Sequence, residues 1–300
     1  MISLSNISKT YNKGQITALK HISFSVDHGE LFGLIGPDGA GKTTLFRILT
    51  TLLFADEGDA TVNGFDVVHD YKQIRNCVGY MPGKFSLYQD LTVEENLNFF
   101  ATIFGTTIRE NYALVKDIYQ QIEPFKNRMA GKLSGGMKQK LGLCCALIHK
   151  PDVLFLDEPT TGVDVVSRRE FWEMLARLKK QGITIVVSTP YMDEANRCDR
   201  IALMQKGVVL SIDDPANMIK DFPQKLYAIK ASNSFQLLQD VRNYSGVDSC
   251  FAFGDALHVT FRDSSDQNMM AYLYTKAYTD VSMEIITPSI EDCFIHLLKD

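Results

Sequence analysis

Three hundred residues, 45% of them hydrophobic and 22% charged, make an ordinary folding chain, a balance that excludes a disordered, collagenous or disulfide-stapled one. Thirty-one Lys and Arg stand against 36 Asp and Glu for a net charge of −5, so there is no bulk electrostatic drive toward nucleic acid or an anionic bilayer. No run approaches the ~18 consecutive apolar residues of a membrane span. The N-terminus lacks the basic segment and apolar core of a secretory signal. The six cysteines, Cys77, Cys144, Cys145, Cys198, Cys250 and Cys293, match neither a zinc nor a redox spacing and read as reduced core residues of a cytoplasmic protein.

Residues 2–11 and 18–29 alternate apolar and polar side chains, as half-exposed antiparallel strands do. Residues 31–36 (LFGLIG) read as a buried strand ending in glycine, and 43–53 (TTLFRILTTLL) follow with helical periodicity. Between them lies GPDGAGKTT, residues 36–44. A glycine-rich turn from strand to helix lets backbone N–H groups converge on phosphate oxygens, and the helix N-terminus adds positive potential. In that context Lys42 reaches the β- and γ-phosphates as a mobile charge, and the Thr43 hydroxyl is a Mg²⁺ ligand.

VGYM, residues 78–81, is a further strand, followed by an apolar-rich segment at 83–104. LSGGMKQKLGLCCALIH begins at Leu133 and places Ser134, Gly135 and Gly136 ahead of a helix. Taken alone, that is an N-cap with a flexible approach, or a second anion site. VLFLDEP delivers Asp157 and Glu158 to the C-terminal end of an apolar strand, the edge where open α/β sheets bind ligands. Alone, such a pair is often only a surface turn. Beside a phosphate loop, Asp157 suits a Mg²⁺ partner and Glu158 is placed to polarise a water attacking a γ-phosphate.

Phe171, Met174, Leu175 and Leu178 form a helical stripe between VLFLD and the next apolar strand, TIVVS (184–188), completing a strand–helix–strand crossover of an α/β fold. Residues 201–212 read as a hairpin about Lys206-Gly207, and the α/β rhythm stops near Asp213-Asp214-Pro215. After Phe222 the order β-α-β-β-α-β predicts a small two-layer domain.

Phosphate loop, LSGG, VLFLDEP and then TTGVD (160–164) occur in that order, and the combination resembles the nucleotide-binding subunit of ATP-binding cassette (ABC) transporters. The resemblance covers residues 1–215 and implies a P-loop NTPase α/β domain with an antiparallel β subdomain and a helical subdomain at about 84–150. It is followed by a small α+β domain at 222–300, similar to an extension on drug- and lipid-export subunits with a regulatory or accessory role. The resemblance implies ATP and Mg²⁺ held by Gly36, Pro37, Asp38, Gly39, Ala40, Gly41, Lys42, Thr43 and Thr44, with Tyr11 stacking on adenine and Asp157 supporting the metal. It makes Glu158 the catalytic carboxylate. It also implies a head-to-tail dimer with a second ATP-binding subunit, Ser134, Gly135 and Gly136 completing the partner's site and Asp164 linking the two sites. Residues 83–104 would receive a membrane-spanning transporter subunit, which gives a peripheral location at the inner face of the cell membrane.

Two family residues are absent. The glutamine after GYMP is Gly83, and the histidine after VVST is Pro190, which has neither a side-chain donor nor an N–H. The expectation is an export ATPase whose own site hydrolyses slowly; Lys84 beside it either lends a charge to the phosphates or, the favoured reading, is solvated. The alternatives are a non-hydrolytic, ATP-gated interaction subunit and a non-transport ABC ATPase.

Overall fold

Residues 1–263 and 265–298 are described by the structure, a computed structural model. Two units divide the chain at residues 1–215 and 216–300. The first opens with β1 (Ile2–Tyr11), β2 (Ile16–Val26), β3 (Leu31–Ile35) and helix α1 (Lys42–Leu49). Next come β4 (Glu57–Val62), β5 (Phe65–Asp66), α2 (Tyr71–Cys77) and β6 (Val78–Met81). Helices α3 (Val93–Ile103), α4 (Tyr112–Tyr119) and α5 (Gly135–Leu147) precede β7 (Val153–Asp157), α6 (Val165–Lys180), β8 (Thr184–Thr189), β9 (Arg200–Gln205) and β10 (Val208–Asp213).

Strands order as β10-β9-β3-β8-β7-β6 in one sheet and β2-β1-β4-β5 in another. In the first, β9 through β6 run parallel and β10 is an antiparallel edge. Every residue of β3, β7 and β8 is buried, which is why these segments read as continuous apolar runs rather than alternating ones. Phe46 of α1 meets Phe155 of β7 edge to face at 5.5 Å between centroids, fixing this helix on the sheet. Burying such a side chain contributes ~1.5–3 kcal/mol.

Helix α1 ends at Leu49, four residues short of the periodicity in the sequence. The Thr50 hydroxyl bonds back to the Phe46 carbonyl and Thr51 turns to φ 61°, which leaves Leu52 and Phe54 exposed. Helix α6 is capped by Asp164, ends in Arg177, Lys179 and Lys180, and buries Trp172 in addition to the four stripe residues. Asn63 and Gly64, both at positive φ, join β4 to β5 in a tight hairpin.

The second unit holds β11 (Leu226–Lys230), α8 (Ser234–Arg242), β12 (Val247–Phe253), β13 (Ala256–Phe261), α9 (Met269–Thr275), β14 (Ser282–Ile286) and α10 (Ile290–Leu297), after helix α7 (Pro215–Lys220) at the boundary. Its antiparallel sheet runs β12-β13-β11-β14 around a core that includes Ile229, Leu237, Val259 and Leu273.

Candidate functional site

Parallel strands end together at one sheet edge, and the site is built there. The loop at 36–44 leaves β3 and enters α1, whose N-cap Gly41 sits at φ 106°. A Cβ on Gly41 would lie 2.5 Å from the Ala18 carbonyl, and one on Gly36 would lie 2.2 Å from that of Met204. Only glycine lets the loop pass so close to β2 and β9.

Lys42 is 3% exposed. Its ammonium donates to the carbonyls of Gly36 (2.6 Å) and Pro37 (3.1 Å) and pairs with Glu158 at 3.2 Å. Thr43 Oγ1 donates to Asp157 Oδ2 at 2.8 Å, and Ser188 Oγ donates to the other carboxylate oxygen at 2.7 Å. A hydroxyl and a buried carboxylate, adjacent and both hard oxygen donors, are the ligand types that Mg²⁺ selects. The residues present therefore fit that ion.

Glu158 adopts φ 49°, a backbone state costing of order 1–3 kcal/mol unless its surroundings over-determine it. They do so here. Its N–H donates to Ser188 O (3.1 Å) and Ser188 Oγ (3.0 Å), and its carbonyl accepts from Thr161 N (3.2 Å). The carboxylate is thereby aimed at Lys42. Ser188 had no motif to announce it. It matters because β7 and β8 pair Asp157 with Ser188 in register. Tyr80 lies nearby, its phenol pushed up to about 12 by burial and by the negative charge of Asp157.

Tyr11, at the end of β1, approaches the loop with its hydroxyl 3.4 Å from Thr44 Oγ1. Asp56 steadies this strand end by accepting from Lys9 Nζ (2.5 Å), Thr10 N (2.7 Å) and Thr10 Oγ1 (2.8 Å). The Lys9 ammonium and these donors lower its carboxyl to about 2.

Ser134, Gly135 and Gly136 lie elsewhere. Ser134 caps α5 by accepting from Met137 N at 3.4 Å, and a Cβ on Gly136 would press on Ser167 Oγ at 2.9 Å. Among the described residues no hydrogen bond or ion pair joins these three to the 36–44 loop. Asp164 caps α6 through Val166 N and Ser167 N, and those N–H groups, Ser167's first, lower its carboxyl.

Gly83 borders the acidic pair, since a Cβ there would sit 3.0 Å from the Asp157 carbonyl and 3.8 Å from Glu158 Cβ. Pro190 follows Thr189, whose carbonyl accepts from Gly36 N at 3.2 Å. Lys84 is exposed, with no acidic partner among the described residues. A groove of about 980 Å³ opens beside Gly83, lined by Met81, Phe85, Leu87, Phe100, Ile103 and Phe104 among others. Leu97, by contrast, is core, while Tyr88, Phe99 and Ile103 are exposed. Arg47, Arg75 and Lys138 also line the groove, and among the described residues no Asp or Glu does.

Residues 19–161 match the family described as ABC transporter. The chain is 37% identical over 303 residues to the probable multidrug ABC transporter ATP-binding protein YbhF of Escherichia coli (strain K12), an alignment covering 99% of this chain and 52% of that protein. It thus spans about half the length of that relative. It is 35% identical to the ABC transporter ATP-binding protein NatA of Bacillus subtilis (strain 168), over 70% of this chain and 88% of NatA. Among solved structures, the dimeric post-hydrolysis state of the ATP-binding cassette MJ0796 bound to ADP and Pi is similar at TM-score 0.65 and 26% identity, covering 71% of this chain and 98% of that one. No helix among the described residues is long and apolar enough to cross a membrane.

Proposed function

The chain belongs to the ABC transporter family of ATP-binding proteins, and on that premise we propose that it binds Mg·ATP at the 36–44 loop and drives a separate membrane-spanning subunit. One observation carries this reading: Lys42, Thr43, Asp157 and Glu158 converge at the mouth of a glycine-rich loop that opens a helix. The loop amides and Lys42 hold the β- and γ-phosphates, Lys42 exchanging two backbone carbonyls for stronger phosphate acceptors. Thr43 and Asp157 hold Mg²⁺, which when bound adds positive charge across the phosphate oxygens. Glu158 orients the attacking water and accepts its proton. Tyr11 packs on the adenine.

Two subunits bind head to tail in this reading. Ser134, Gly135 and Gly136 of one complete the site of the other, which is consistent with their lying apart from their own phosphate loop, and Asp164 links the two sites. The groove beside Gly83 receives the membrane-spanning subunit, its exposed Ile103 and half-buried aromatics supplying contact area. That docking would hold the chain peripherally at the cytoplasmic face of the membrane. The direction is export, as the word multidrug in the name of YbhF suggests, and residues 216–300 form an accessory unit. Gly83 and Pro190 supply no side-chain donor, so hydrolysis at this chain's own site is slow. The same two residues favour, as a second reading, an ATP-gated subunit that does not hydrolyse at all.

Equilibrium binding and turnover of Mg·ATP by wild type, Lys42→Ala and Glu158→Gln test the proposal. Lys42→Ala should lose ~10²-fold in affinity, as a charge-assisted contact to phosphate is removed. Glu158→Gln should bind Mg·ATP and abolish whatever turnover the wild type has. A wild-type affinity no higher than that of Lys42→Ala contradicts the proposal.

A further inference from the structure

Glu194, in the turn after β8, is 4% exposed, and a carboxylate so deeply buried demands partners. It has four donor contacts from three elements. Thr189 Oγ1 at the end of β8 donates to Oε2 at 2.5 Å, and Thr160 Oγ1 in the turn after β7 donates to the same oxygen at 3.0 Å. Arg168 of α6 reaches Oε1 through Nε (3.1 Å) and Nη2 (3.0 Å). The guanidinium also lies over the Tyr191 ring at 4.2 Å, and Tyr191 N donates to Thr189 Oγ1 at 3.1 Å.

Each partner leads somewhere. The Thr189 carbonyl accepts from Gly36 N, the first amide of the phosphate loop. Thr160 and its neighbour Glu158 hold the following turn, their carbonyls accepting from Val163 N (3.3 Å) and Thr161 N (3.2 Å). Arg168 sits one turn into the helix that Asp164 caps. Pro190, between Thr189 and Tyr191, can donate no hydrogen bond, and the Thr189 hydroxyl ties this strand end to Glu194. Buried ion pairs are weak contributors to stability compared with apolar packing of equal volume, and their best-attested use is to fix one arrangement.

We infer that Glu194 is a positioning residue that transmits occupancy of the phosphate loop to residues 160–167, the turn and helix start that carry Asp164. The inference rests on the reading of the 36–44 loop as the Mg·ATP site. It adds a route, from Gly36 through Thr189 and Glu194 to Thr160 and Arg168, by which one subunit would report its nucleotide to the next. Because the route lies within one chain, it is measurable without a partner.

The test is amide hydrogen exchange of residues 160–167 in the full chain, with and without saturating Mg·AMPPNP, at a dilution where sedimentation shows a monomer. The variants are Thr189→Val, which removes the hydroxyl at constant volume, and Thr189→Ser, which keeps it. Wild type and Thr189→Ser should show exchange slowed about 5- to 10-fold by nucleotide, within the usual range of coupling between sites. Thr189→Val should show less than about a twofold change at its own saturation. Should Thr189→Val not fold, Arg168→Lys, which keeps the charge and loses the two-pronged contact, is read in the same way. Slowing that survives intact in these variants overturns the inference, as does wild type that binds the analogue without any slowing. Wild type that binds no analogue defeats the nucleotide reading first, and the inference falls with it.

Discussion

Lys42, Thr43 and Asp157 are each held by named hydrogen bonds at the mouth of the phosphate loop, whereas Gly83 and Pro190, which border the same strand ends, have no side-chain donor to give. Under the function proposed above, the two regions serve different stages of one reaction. Holding a polyphosphate needs convergent amides, a mobile cation and hard oxygen ligands, all of which are present in the first region. Accelerating transfer needs further groups that engage the phosphoryl group as its charge redistributes, and these are what the second region lacks. On the proposed reading, binding and turnover are separable here, because they depend on residues delivered by different loops.

Adding one methyl group to each region sharpens the contrast, and gives the largest effect on stability expected here. Gly36→Ala drives a Cβ to 2.2 Å from the Met204 carbonyl, an overpacking that costs about 1–3 kcal/mol and lowers Tm by ~3–10 °C. Mg·ATP affinity should fall ~10-fold or more with it, since the loop must move. Gly83→Ala meets the Asp157 carbonyl at 3.0 Å, at an exposed position without positive φ. It should shift Tm by less than about 2 °C, as surface substitutions do. Calorimetry and nucleotide titration on the two variants check both statements. Equal effects from the two would erase the distinction between the regions.

The smallest expected effect concerns Asp56, which tethers the strand end bearing Tyr11. Its carboxyl is lowered to about 2 by Lys9 and Thr10, against ~3.9 in an unfolded chain. A depressed folded value means that the contribution is fully present above the unfolded value and is lost as pH falls through about 2. The group is 38% exposed, so solvent screening keeps the contribution small. Wild type should exceed Asp56→Asn in Tm by at most a few °C at pH 5, and the gap should close between pH 4 and pH 2. A gap that stays constant over that range would show that the charge on Asp56 is not what tethers the strand.

Much of this is legible in sequence where the signal is local. Glycines, lysine and a hydroxyl in a row define the loop, and continuous apolar runs define β3, β7 and β8. Asn63-Gly64 is local too, a two-residue hairpin signal. What is not legible depends on neighbours distant in the chain. Ser188 gains its role only when β7 and β8 lie side by side and pair it with Asp157. Glu194 looks like one more acidic residue of a polar turn until Thr160, Arg168 and Thr189 close on it. The early end of α1 also escapes pattern reading. It is set by the positive φ of Thr51, beyond which Leu53 packs against the core while Leu52 and Phe54 remain exposed.

A site complete for binding Mg·ATP and short of two contacts for moving the γ-phosphoryl group should be slow until those contacts are restored. Steady-state turnover at saturating Mg·ATP decides this for the full chain, for Gly83→Gln, for Pro190→His and for the double variant. The wild type should be slow and the double variant ~10²-fold faster, the scale of one or two restored contacts to the transferring group. A wild type that turns over rapidly, with no gain in the double variant, contradicts it.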